Sequence, residues 1–183
     1  MMRAVRLSRS ILAGRSLITA MGSIFLLFFL VVASAEAGTT VAGTISTDTT
    51  WTLAGSPYIV TSNITVQGTD GADNITTLTI DPGVVVQLGS YRIMTIGASS
   101  GAPGALVAQG TAENPITFTS GNATPAPGDW NYIMFHNTTN DATTLMEHCV
   151  IEYGGAGNGA LYFYQASPTL RNVTVQNSGT YGA

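Results

Sequence analysis

The sequence predicts an all-β fold, a β-solenoid of about five to six coils, and three observations carry that reading. Short runs of β-branched and aromatic residues recur along the chain, with no stretch of 3.6-residue apolar periodicity. Clusters of Gly, Pro, Asn, Asp and Ser separate the runs, which marks tight turns between short strands. A segment also repeats: His148-Cys-Val-Ile-Glu-Tyr-Gly-Gly155 aligns with Asn172-Val-Thr-Val-Gln-Asn-Ser-Gly179 at an offset of 24 residues. At that offset Cys149 falls on Val173 and Ile151 on Val175, so the alternating apolar positions coincide. A period in the twenties without helices suits one coil of a solenoid, in which alternate side chains point into a core and equivalent positions stack about 4.8 Å apart.

Taken in order, residues 1–37 read as an export signal. Arg3, Arg6, Arg9 and Arg15 form a basic start with no acid, and residues 17–32 form an uncharged apolar run. Ala33-Ser34-Ala35-Glu36-Ala37 supplies small residues for cleavage after Ala35 or Ala37. An uncleaved anchor is the rival, since 19 uncharged residues from Leu17 to Ala35 just suffice to span a bilayer. Residues 38–183 then form one β-helix domain, with an N-terminal cap over about 38–80 and coils over about 81–183. Strands are expected at 58–60, 64–66, 78–80, 84–87, 93–96, 105–108, 116–119, 132–135, 148–152, 161–164 and 173–175. The sequence stops at Ala183, where the preceding coil began its run at Leu161, so the domain is expected to be an incomplete, N-terminal portion of a longer solenoid.

Composition narrows function. Charged residues make up 9% of the chain, against about 25% in an average domain. There is no lysine, and beyond position 37 only Arg92 and Arg171 are cationic while nine acids remain, a balance of -7. That excludes a basic nucleic-acid surface, and it argues against membrane contact beyond the signal segment. The single cysteine, Cys149, excludes an internal disulfide.

Several segments together resemble secreted right-handed parallel β-helix proteins of the pectate-lyase-like class. They are Gly55-Ser-Pro-Tyr-Ile-Val60, Leu78-Thr-Ile-Asp-Pro-Gly-Val-Val-Val86, and the segment from Gly104 to Ser120. Gly128-Asp-Trp130, the 148–155 repeat and Ser167-Pro-Thr-Leu-Arg-Asn172 complete the set. The resemblance implies a right-handed parallel β-helix and a secreted or cell-surface location. It also admits polysaccharide lyases, hydrolases, adhesins and inert spacers, so function must be argued from sites.

A lyase of that class implies Ca²⁺ held by clustered carboxylates and a basic residue that abstracts a proton. Only Arg92 or Arg171 can serve as that base, and neither has carboxylates at a spacing that suggests a shared coil. Glycoside hydrolysis needs two carboxylates across the scissile bond, and stacking can bring Asp129, Glu147 and Glu152 together. The paired-aspartate, Gly-His-Gly and Arg-x-Lys signatures of polygalacturonases are absent. His148 and Cys149 are adjacent in a strand and point to opposite faces, which is wrong for a nucleophile pair; Cys149 reads as a buried hydrophobe. No catalytic residue is assigned.

Two binding sites are expected. In Leu161-Tyr-Phe-Tyr164, alternation turns Leu161 and Phe163 inward and Tyr162 and Tyr164 outward, where tyrosine rings can stack on sugar faces. Tyr132 is expected to join them, with Tyr153 and Tyr181 as further candidates. The Gly-rich acidic turn Asp70-Gly-Ala-Asp73-Asn74 offers oxygen ligands of the kind Ca²⁺ takes, although it matches no EF-hand or β-roll pattern. Five Asn-x-Thr sequons, at Asn63, Asn74, Asn122, Asn137 and Asn172, are glycan acceptors in a source that glycosylates its exported proteins. The expected function is a non-enzymatic module for carbohydrate binding, adhesion or spacing, with polysaccharide or a surface glycan as partner. The alternative is a carbohydrate-active enzyme whose catalytic coils lie outside this sequence.

Overall fold

The computed structural model describes residues 38–98 and 101–180; the export signal expected over 1–37, and Tyr181, lie outside the described residues. Twelve strands occur among the described residues: β1 Thr39–Ile45, β2 Thr49–Trp51, β3 Tyr58–Val66, β4 Thr76–Ile80, β5 Val85–Leu88 and β6 Ile93–Ile96. They continue as β7 Gly104–Gln109, β8 Ile116–Ser120, β9 Tyr132–Phe135, β10 Leu145–Glu152, β11 Leu161–Phe163 and β12 Thr169–Gln176. A single 3₁₀ turn, Leu53–Gly55, is the only helical element among them, so no described helix is long and apolar enough to cross a membrane.

All strand pairings are parallel, and they sort the chain into three faces. Face A stacks 39–41 of β1, 58–60 of β3, β5, β8, 149–151 of β10 and 173–175 of β12. Face B stacks 43–45 of β1, 64–66 of β3, β6, β9 and β11. Face C stacks β2, β4, β7, 145–147 of β10 and 169–171 of β12. The chain visits A, B and C in turn, completes five circuits and starts a sixth, as the sequence predicts. Parallel crossovers are almost always right-handed, so this is a right-handed parallel β-helix.

The core follows from alternation. Tyr58, Val86, Phe118, Ile151 and Val175 form one inward row on face A. Ile64, Met94, Ile133 and Leu161 form another on face B. From Ile64 through Phe135 most such side chains are completely buried, each contributing about 1.5–3 kcal/mol. Cys149 is buried in this core, as expected, and desolvation pushes its thiol up to about 12.

Three sequence expectations need correction. Strands β1 and β2 were not expected; they are Thr-rich and largely exposed, which weakened their pattern. Strands β10 and β12 begin three or four residues earlier than the runs at 148–152 and 173–175 suggest, because each turns a corner from face C to face A. His148 and Asn172 sit at those corners with φ of 46° and 52°, the left-handed conformation that bends a strand without a loop. Finally, the 24-residue offset holds only for β10 and β12; Tyr58 pairs with Val86, 28 residues on, and Met94 with Ile133, 39 residues on. The longer coils carry their extra residues at corners, chiefly between β8 and β9.

Candidate functional site

Face B presents an outward strip that grows more aromatic along the solenoid. Its outward positions are Thr44 on β1, Thr65 on β3, Ile93 and Thr95 on β6, Tyr132 and Met134 on β9, and Tyr162 on β11. His136 and Tyr164 extend β9 and β11 by one residue each. Parallel pairing matches Tyr162 with Met134, so Tyr132 reaches Tyr162 diagonally: the rings lie 5.5 Å apart, tilted by 53°. The His136 and Tyr164 rings pair at 5.1 Å and 43°. Tyr162 and Tyr164 are 36% and 42% exposed, on a strand that no described strand covers on its far side. Four residues of strand separate the Tyr132 position from that of His136, a span of roughly 13 Å.

The expected trio is thus brought to one face. Leu161 is buried and Phe163 points inward, as predicted; Phe163 stacks on Phe135 at 5.4 Å and stays 39% exposed because no described strand covers β11 on its far side. Tyr153 is half-buried at the corner after β10, with φ of 63°, away from the strip. His136 was missed. The register shows the missing signal: Ile133-Met-Phe-His136 overlays Leu161-Tyr-Phe-Tyr164 at an offset of 28, with aromatic on aromatic at both final positions.

The carboxylates of the acidic turn accept backbone amides. Asp70 Oδ2 accepts the Asp48 amide at 2.8 Å, Asp48 Oδ1 accepts the Thr77 amide at 2.8 Å, and Asp73 Oδ1 accepts the Ile75 amide at 3.2 Å. A β-carbon on Gly71 would lie 2.8 Å from Asp48 Oδ2, so Asp48, unnoticed in the sequence, converges on the same turn from the preceding coil. No group of three or more His, Cys, Asp or Glu side chains able to hold a metal ion occurs among the described residues.

The acids considered for hydrolysis have separate partners. Asp129 accepts Ser120 Oγ at 2.6 Å and the Ala126 amide at 2.9 Å. Burial raises its pKa, but these bonds and one from Asn122 outweigh that and hold it below the usual aspartate value. Glu152 accepts Thr119 Oγ1 and Gln176 Nε2, both at 2.9 Å, within a polar row on face A. Glu147 accepts Gln109 Nε2 at 3.5 Å on face C. Arg171 stands in register with Glu147, a carboxylate neighbour that the sequence reading did not assign to it although the 24-residue offset implies it. His148 Nε2 contacts Asn172 Nδ2 at 3.3 Å, so the two corner residues bond to each other.

The parallel pairing and the three stacked faces define a parallel β-helix. The chain belongs to the pectate-lyase-like β-helix domain family, whose model matches residues 43–181. That membership points to a carbohydrate-related function. Searches of curated proteins and of solved structures returned no match.

Proposed function

We propose that this chain is a non-enzymatic, secreted or cell-surface β-helix module that binds carbohydrate through Tyr132, Tyr162 and Tyr164, holding a glycan against a rigid scaffold for adhesion. The observation that supports this most directly is the exposed Tyr162–Tyr164 pair, with Tyr132 packed diagonally against Tyr162. Rings fixed on adjacent strands lose little freedom on binding, which favours stacking against the apolar faces of sugars. The non-enzymatic part rests on the acids, each of which is held by neighbouring amides and hydroxyls in a separate place.

The test is pull-down on insoluble polysaccharides and a glycan array with the intact chain and a Tyr162→Ala/Tyr164→Ala double variant. Binding that the variant loses, with far-UV circular dichroism unchanged, supports the proposal. Glycan binding untouched by the variant would refute the platform. Unsaturated products from a uronate polymer, abolished by Arg171→Ala, would refute the non-enzymatic reading.

A further inference from the structure

Resting on that platform, we infer that its ligand is a neutral glycan chain and not a uronate polymer. The outward residues of face B are threonines, Ile93, Met134 and the aromatic rings. No carboxylate and no permanent cation projects from them. An acidic polymer needs cationic partners or a bridging metal, because each buried carboxylate must otherwise lose its hydration uncompensated.

Arg92, Asp129 and Asp141 are the charged residues that flank the strip in sequence. Arg92 begins the turn into β6, but its side chain folds back over Gly89, with Cγ and Nε 3.6 and 3.8 Å from where a β-carbon on Gly89 would sit. Its Nε is buried. Asp129 is tied to Ser120 and Ala126 in the loop before β9. Asp141, beyond β9, has one carboxylate oxygen buried. Glu152 lies on face A, and Glu147 and Arg171 on face C. With nine acids against two arginines beyond position 37, the net charge of the domain disfavours the approach of a polyanion. The strip offers what a neutral sugar chain uses: ring faces for its apolar C–H surfaces, and hydroxyls from Thr65 and Thr95 for its own hydroxyls.

The experiment compares the intact chain, Tyr162→Ala and Thr95→Lys by affinity electrophoresis in gels containing a neutral soluble β-glucan or polygalacturonate, with and without Ca²⁺, at low and high salt. The expected result is retardation by the neutral polymer alone, insensitive to salt and weakened about 2- to 13-fold by Tyr162→Ala, the range for one aromatic contact. Thr95→Lys is expected to add salt-sensitive retardation by polygalacturonate. Retardation by polygalacturonate in the intact chain that Tyr162→Ala abolishes would overturn the neutral-ligand inference while leaving the platform standing. Retardation by either polymer that Tyr162→Ala leaves unchanged, or none by both, would overturn the platform itself.

Discussion

Trp130 anchors the loop that leads into β9. It is completely buried just before β9, and its indole N–H donates to the Glu152 carbonyl at 2.9 Å, joining the 121–131 loop to the end of β10. Replacing it with Phe removes the donor and part of the ring. The stranded carbonyl costs about 1–3 kcal/mol and the lost apolar volume about one more, so Trp130→Phe is expected to destabilise by roughly 2–4 kcal/mol. Trp130→Ala should cost about 3–5 kcal/mol. Gly154 supplies the second arm. A β-carbon there would meet Trp130 Cζ2 at 2.8 Å and Cε2 at 3.0 Å, atoms of a packed ring with nowhere to go. Gly154→Ala alone should cost about 1–3 kcal/mol. In the Trp130→Phe background the smaller ring makes room, so the two substitutions should be less than additive by about 0.5 kcal/mol or more. Urea unfolding followed by far-UV circular dichroism reads all four proteins. A Trp130→Phe cost below about 1 kcal/mol, or strict additivity with Gly154→Ala, would refute this account of the contact.

Gly104→Ala should be more damaging than Gly154→Ala, because its β-carbon collides with the backbone carbonyl of Val66 on the neighbouring coil and lies 2.7 Å from the Gly97 amide nitrogen; the expected readout is loss of soluble protein or a unfolding midpoint several degrees lower. Cys149 should resist iodoacetamide at neutral pH in the folded protein and react once urea unfolds it. Its folded pKa stands above the ordinary value of 9.0, so the unfolded thiol ionises first; stability should fall as pH rises from about 9 towards about 12, and Cys149→Ala should flatten that limb of the profile. Asp129 behaves oppositely: its folded pKa is depressed, so its contribution is complete above 3.8 and lost as pH falls through the lower folded value. Asp129→Asn should abolish that acid limb in an unfolding titration and leave the alkaline one intact.

What the sequence made legible was set by local alternation. Leu161, Cys149 and Ile151 announce their inward direction because each stands in a two-residue pattern bounded by turns. The same alternation turned Tyr162 and Tyr164 outward, and the solenoid reading placed Tyr132 with them. Quantities that depend on coil length were hidden. The 24-residue repeat is the shortest spacing between completed later coils, and corner loops of variable length mask the 28-residue offset that pairs His136 with Tyr164 and the convergence of Asp48 on Asp73. Left-handed corners at His148, Tyr153, Asn172 and Asn177 were equally invisible, since non-glycine residues with positive φ carry no pattern beyond a mild preference for Asn.

The division of labour among the three faces follows from the charge shortage. In a parallel stack, like groups recur every 4.8 Å or so, and a column of carboxylates would repel itself along the whole solenoid. Faces A and C avoid this by interleaving acids with amides and hydroxyls: Thr119, Glu152 and Gln176 in one row, and Gln109, Glu147 and Arg171 in another. Thr119, Glu152 and Gln176 bond to one another, as do Gln109 and Glu147, which ties successive coils together. Face B has no such row. Its aromatic side chains stack without saturating donors or acceptors, so the same contacts that hold the strip in place keep its outer ring faces available.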